Sequence, residues 1–431
     1  MARLRWILRI QANIWRVLMG LGMLFHRLAP PRPRQPAFSK TIQSTISKKR
    51  GPIQLYFYVP PQYERQEGIL NDIRTHEQNI DTADLGKAKH QRTSAVGRVA
   101  RTARPYNQRT RAHRPYPAVI NFHGGGFTLG APTDDARWCT TVADECKALV
   151  VSVGYRPAPE YPFPNAVEDG VDAIIWIYKH AAELGIDRDK IAISGFSSGG
   201  NMAFTVSLRL HEYTMGNSPP FRSNADSEFQ GSVSTSFWAK ANPNRNVDFV
   251  DPLDPQGHVS SSPNAEAIIN SHKATPTGPC PIALRAVLAW YPSTDYTRTR
   301  EQRRATCLRK DQELPSLFTN LFDESYLYPP DSVALDSPYL SPGVAPTALL
   351  KNGLPDDIIM LCCEWDMLLA EGLDFRDRLL SPEIDKRVSY TLIEGVPHGW
   401  DKAPNPLNAA RDVRDYYLRA CGELERVFRN G

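Results

Sequence analysis

Apolar residues along this chain recur with two periods. Strand-length runs, continuous or alternating, fall near Ile53, Ala118, Leu149, Lys190, Leu284, Asp357 and Arg387. The unbroken ones, such as Asp357 to Cys363, suit strands buried on both faces. Between them, near Asp134, Ala166, Ser198, Leu373 and Asn408, apolar positions return at helical spacing. Strands alternating with helices predict an α/β fold, a largely parallel sheet with helices on both faces. At 431 residues the chain is long for one average domain, and one α/β domain with insertions accommodates that length.

The residues able to do chemistry lie where these strands end. Lys190 to Ile193 leads into Gly195-Phe196-Ser197-Ser198-Gly199 and then a helix-like stretch. A serine hydroxyl is a poor nucleophile unless it is lifted out of the chain where a histidine can reach it, and flanking glycines permit so sharp a strand-to-helix turn. Upstream, Pro117 to Phe122 runs directly into His123-Gly124-Gly125-Gly126-Phe127. Three glycines after a strand let backbone N–H groups approach a ligand closely, as an oxyanion-binding loop must. Asp366 follows the strand Asp357 to Cys363, and His398 lies in the loop after Arg387 to Ile393. Taken singly, Ser197 reads as a turn serine, Asp366 as an N-cap for residues 368–380 and His398 as a surface histidine.

Taken together with Tyr155 to Pro164 and Asp366 to Gly372, these motifs resemble, in their order, those of the hormone-sensitive-lipase-like branch of α/β-hydrolase esterases (fold 3), which includes arylacetamide deacetylase. The likeness covers about 53–210 and 284–427, with one long insert in each half. It implies the α/β-hydrolase fold, a mostly parallel twisted sheet with helices on both faces and a small cap. It implies Ser197 as nucleophile, His398 as base and Asp366 as the residue that orients the base. The N–H groups of Gly124, Gly125 and Ser198 would be oxyanion donors, with His123, Gly126 and Glu160 in supporting places. Glu160 and Glu371 read equally as surface charges.

The implied activity is hydrolysis of carboxylic esters of small or lipophilic substrates with short acyl groups through an acyl-enzyme, with no cofactor and no metal. A deacetylase or amidase using the same triad is the alternative. A non-catalytic ligand receptor of this fold lacks the histidine that stands here at 398. Phe196, Ser198 and Pro157 depart from the family's usual residues, and Ser198 can still offer its backbone N–H. In relatives the start of the chain and the region after the sixth strand cover the acyl pocket, so a cap is expected at about 294–342 and substrate choice should reside in those two segments.

Charge divides the chain. Met1 to Gln35 carries seven arginines and no acid, and Lys87 to Arg114 carries nine Lys or Arg and no acid. Subtracting those sixteen from the net +4 leaves −12 for the remainder. Residues 1–29 read as a basic amphipathic helix with Arg5, Arg9 and Arg16 on one face and Ile7, Ile10, Ile14, Trp15, Leu18 and Leu21 on the other. Such a helix is expected either to lie on an anionic membrane through its arginine face or to pack on the body as part of a cap. Its longest uncharged stretch, Val17 to Phe25, is too short to cross a bilayer. Arg9 and Arg16 also interrupt any signal-peptide core.

Residues 30–52 read as a linker, stiffened by Pro30 to Pro36, and 53–431 as the catalytic domain. The inserts at about 66–114 and 211–281 read as solvated excursions. With Tyr106 as the sole aromatic of the basic run, nucleic-acid binding has no stacking platform. Seven cysteines, odd in number, suit neither a disulfide framework nor a zinc site. No N-x-[ST] site occurs. A membrane-associated location at the endoplasmic reticulum or cytoplasmic face is expected, a soluble cytoplasmic one is the second choice, and oligomeric state is left open.

Overall fold

The computed structural model describes residues 3–63, 115–216, 282–329, 331–407, 410 and 412–430. The expected excursion at 66–114 and nearly all of that at 211–281 lie outside the described residues. Eight strands, β1 (Phe38–Gln43), β2 (Pro52–Tyr58), β3 (Tyr116–Phe122), β4 (Leu149–Gly154), β5 (Ile186–Phe196), β6 (Ala286–Trp290), β7 (Asp357–Cys363) and β8 (Arg387–Ile393), form one sheet in the order β1-β2-β4-β3-β5-β6-β7-β8. β1 pairs antiparallel with β2, and β2 antiparallel with β4, while every later pairing is parallel.

The helices are α1 (Arg5–Leu28), α2 (Ala136–Glu145), α3 (Asn165–Lys179), α4 (Ala181–Leu184), α5 (Ser198–Thr214), α6 (Arg300–Ala305), α7 (Ser316–Tyr326), α8 (Thr347–Gly353), α9 (Leu369–Leu380) and α10 (Val413–Arg429). They cover the sheet on both faces, and the two-residue period of the strands decides which side chain meets which layer. Ile191, Ile193, Val287, Ala289, Ile358 and Met360 point into the core shared with α3 and α5. Their neighbours Ala192, Leu288, Trp290, Ile359 and Leu361 enter the opposite core with α2 and α10. Parallel strands aligned in register, Phe122 opposite Gly195, Phe196 opposite Trp290 and Cys363 opposite Ile393, bring the loops after β3, β5, β7 and β8 to a common rim.

Two findings differ from the sequence reading. The span 30–52, expected as a linker, contains β1, whose register runs from Phe38 against Phe57 to Gln43 against Pro52. Only Ile42 of that strand is buried, so an edge position hides the apolar signal that marks the others. The second concerns α1. The arginine face expected to meet a membrane is instead turned toward the protein: Arg5 donates to the carbonyls of Pro159 and Glu160, and Arg16 to those of Thr128 and Ala158 and to the Glu160 carboxylate at 2.8 Å. Backbone carbonyls and one acid at residues 158–160 supply acceptors that guanidinium groups match well. Of the three named arginines, only Arg9 is exposed.

Candidate active site

β5 ends at Phe196 and α5 begins at Ser198, so the turn between them rests on Ser197, at φ 55° and ψ −115°. A non-glycine residue held there costs on the order of 1–3 kcal/mol and persists where the surroundings fix it. They do so here through close approach. A β-carbon on Gly195 would come within 2.1 Å of the Gly199 carbonyl oxygen, and one on Gly199 within 2.0 Å of that of Phe122. The Ser197 N–H donates to Trp290 at 2.9 Å, and its carbonyl accepts from Asn201 at 2.9 Å.

His398 reaches this serine from the loop after β8. Its Nε2 lies 2.8 Å from Ser197 Oγ, and its Nδ1 lies 2.6 Å from Asp366 Oδ2. The second oxygen of Asp366 accepts the N–H of Leu368 at 2.9 Å, so the carboxylate is held from two sides and is 2% exposed. Tyr291 packs edge-on to the imidazole with ring centroids 4.8 Å apart, leaving the ring little freedom to turn.

The glycine loop follows β3. Gly124 passes so near the elbow that a β-carbon there would stand 3.5 Å from Ser197 Cβ. Gly125 and Gly126 have φ of +115° and +59°, values at which only glycine is unstrained. His123 braces this loop: its ring stacks on Tyr155 at 4.2 Å, Nδ1 lies 2.8 Å from the Gly124 carbonyl oxygen, and Tyr155 donates to the His123 carbonyl at 3.0 Å. Burial pushes the His123 imidazole below its ordinary pKa, which favours a neutral ring there.

Gly124, Gly125, Gly126, Ser197, Ser198 and His398 line one side of a cavity of about 590 Å³. α1 supplies Trp15, Leu18, Met19 and Met23 as a second wall, and Leu314, Phe318 and Phe322 supply a third. The two outer walls meet where Trp15 packs edge-on to Phe318 at 4.6 Å, and Arg3 ties α1 to α7 through Glu324 at 2.6 Å. Asp134 and Asp135 also reach the cavity, and burial pushes Asp134 up to about 6. Among the described residues no group of three or more His, Cys, Asp or Glu converges as metal ligands would.

A family model described as alpha/beta hydrolase fold matches residues 119–223 and 265–402, more than half of the chain. The chain belongs to the hormone-sensitive-lipase-like branch of the α/β-hydrolase family. Human hormone-sensitive lipase is 31% identical over 199 residues, covering 46% of this chain and 17% of that protein. An arylesterase from Saccharolobus solfataricus is 47% identical over 90 residues, 21% of this chain and 29% of that protein. The chain thus spans less than a third of either relative's length. A thermostable esterase from Pseudomonas putida shares the fold, with a TM-score of 0.61 at 19% identity over 97% of this chain and 90% of that one.

Within this α/β-hydrolase frame the sequence-predicted residues divide. Ser197, His398 and Asp366 form one hydrogen-bonded chain, and Gly124, Gly125 and Ser198 border it. Gly126 lies against Phe322, and Glu160 stands apart as an anchor for Arg16 of α1. Glu371 is buried and paired with Arg303 at 2.6 Å.

Sequence reasoning missed the support behind the elbow. Lys402 places its ammonium 3.0 Å from Asp135 and 2.8 Å from Asp401, and Asp401 also accepts from Tyr291 and Tyr417, each at 2.6 Å. Burial alone would lower the Lys402 pKa, but Asp135 and Asp401 outweigh it and hold the group ionised. The available signal was Phe196, an aromatic residue directly before the elbow serine, whose ring faces the Lys402 ammonium.

Proposed function

We propose that this chain is a serine hydrolase that cleaves carboxylic esters of small or lipophilic compounds with short acyl groups, through an acyl-enzyme intermediate. The observation that carries the reading is the relay from Ser197 Oγ through both ring nitrogens of His398 to Asp366, at the wall of a mostly apolar cavity. Its volume of about 590 Å³ suits one small organic molecule. Esterases and a lipase among the relatives support ester hydrolysis as the reaction class.

The Ser197 hydroxyl donates its proton to His398 Nε2 as Oγ attacks the ester carbonyl. Asp366 accepts the Nδ1–H, which fixes the tautomer that leaves Nε2 free to receive the proton. The N–H groups of Gly124, Gly125 and Ser198 take the developing oxyanion, and losing one such donor costs on the order of a hundredfold in turnover. Collapse expels the alcohol, protonated from Nε2, and leaves the acyl group on Oγ. Water, deprotonated by the same nitrogen, then attacks the acyl carbonyl and releases the acid. α1 and the region at 294–342 act together as the cap that selects the substrate.

A fluorophosphonate probe tests this directly. The wild-type protein should be labelled and the folded Ser197→Ala variant should not. Labelling that persists in Ser197→Ala, or a wild type that neither labels nor turns over aryl acetates, would remove the hydrolase reading. Matched aryl acetate and aryl acetamide substrates then decide between esterase and amidase.

A further inference from the structure

We propose that the outward face of α1 docks this protein on an anionic lipid bilayer, with the helix lying flat on the surface, Arg5 and Arg16 gripping the protein and Arg9 and Arg32 left to meet the headgroups. Docking itself is independent of the catalytic reading; delivery of a lipid-dissolved ester to the cavity rests on it. Of nineteen large apolar side chains exposed among the described residues, ten lie between Leu4 and Leu28. Scattered singly they would need no explanation, but nine of these ten share one helix and Leu4 caps it. At 100° per residue Trp6, Ile10, Ile14, Val17, Leu21 and Leu24 fall within one arc, opposite the buried Leu8, Ala12, Met23 and His26. The inward side thus has apolar contacts of its own, and the exposed arc is a second apolar face where a surface helix ordinarily presents polar residues.

The charges decide what covers this face. Met1 to Gln35 carries seven arginines and no acid. Arg3, Arg5 and Arg16 are engaged with the body, while Arg9, within the N-terminal part of α1, and Arg32, just beyond its C-terminal end, remain exposed. Two copies placed face to face would bring these cations together with no acid in the segment to meet them. Anionic headgroups complement them, while the apolar arc enters the acyl boundary beneath. No helix among the described residues is long and apolar enough to cross a membrane, and α1, about 36 Å long, has the form of one that lies on it. α1 carries both surfaces, with Trp15, Leu18, Met19 and Met23 lining the cavity and the exposed arc on its other side, so a single helix separates the cavity from the docking face.

The test is flotation of the full chain with vesicles of phosphatidylcholine plus phosphatidylglycerol, and with vesicles of phosphatidylcholine alone. The wild type should partition onto the anionic vesicles more strongly than onto the neutral ones. A variant combining Ile10→Ser, Val17→Ser and Leu21→Ser, none of which lines the cavity, should lose at least about tenfold in partition while keeping fluorophosphonate labelling and turnover of a water-soluble aryl acetate. If that variant fails to fold, Val17→Ser alone, at the most exposed of these positions (66%), should shift partition in the same direction. A wild type that does not float overturns the proposal. So does a triple variant that floats undiminished, which would put the attraction elsewhere in the chain. A variant whose change is loss of a dimer in sedimentation velocity, without vesicle binding by the wild type, would assign the face to a second copy. Vesicle binding without Ser197 labelling would remove the hydrolase reading and leave the docking face standing.

Discussion

The ammonium of Lys402 stands 3.6 Å from the centroid of the Phe196 ring, one residue before the elbow serine. Phe196 in turn stacks on Trp290 with ring planes 3° apart, so the back of the elbow is a packed aromatic wall with a buried cation against it. Lys402→Met keeps most of the volume but leaves Asp135 and Asp401, both nearly inaccessible to solvent, without that partner. Breaking a buried pair from one side costs about 3–5 kcal/mol. Chemical denaturation at pH 7 should report a loss of that size, with part of it restored by adding Asp135→Asn. An unchanged midpoint would mean that the cation does not hold this layer together.

Asp366→Asn offers a sharper test of the relay than removal of the serine. The amide can hold the same position while presenting the wrong group to Nδ1, so His398 no longer has Nε2 free to take the serine proton. Turnover of an aryl acetate should fall on the order of 10⁴-fold with the melting temperature little changed. A drop of tenfold or less would take Asp366 out of the mechanism.

Much of this site is legible in the sequence because its residues follow strand ends, and parallel register brings those ends to one rim. Ser197 carries its own glycines, and Asp366 and His398 each lie in the short loop that follows an apolar run. What the sequence hides depends on long-range contact. Lys402 finds Phe196 only after β5 and the loop following β8 meet. The periodicity of α1 establishes two faces without revealing which one the protein takes, and carbonyls at residues 158–160 settle that. β1 escapes notice because a strand at the sheet edge buries only Ile42.

The C-terminal end of α1 should loosen in acid. His26 is buried beneath it, with Nδ1 3.3 Å from the Ala403 carbonyl oxygen. Burial, then the cations of Lys402 and Arg137, push its pKa down to about 4. The unfolded chain, near 6.5, therefore binds the proton more readily than the folded one. The resulting stability is present above about pH 6.5 and is lost as pH falls through about 4. The melting temperature of the wild type should fall between pH 7 and pH 4.5 by more than that of His26→Gln, whose side chain does not titrate. Parallel pH profiles would remove His26 as the cause.

Gly126 and Phe322 can be tested as a pair, because the space each needs is the same. At φ +59° a β-carbon on Gly126 would come within 2.2 Å of the Phe322 ring, so Gly126→Ala strains the backbone and displaces an aromatic wall of the cavity. Overpacking of this kind costs about 1–3 kcal/mol. Phe322→Ala alone loses buried ring surface, but it also opens the space that the new methyl requires. The two changes together should therefore cost less than their separate costs added, by about 1 kcal/mol or more, in a double-mutant cycle read by denaturation. The same cycle read by KM for a lipophilic aryl ester should couple as well, since Phe322 borders the substrate space. Additive effects in both readouts would mean that the ring and the glycine do not share that volume in solution.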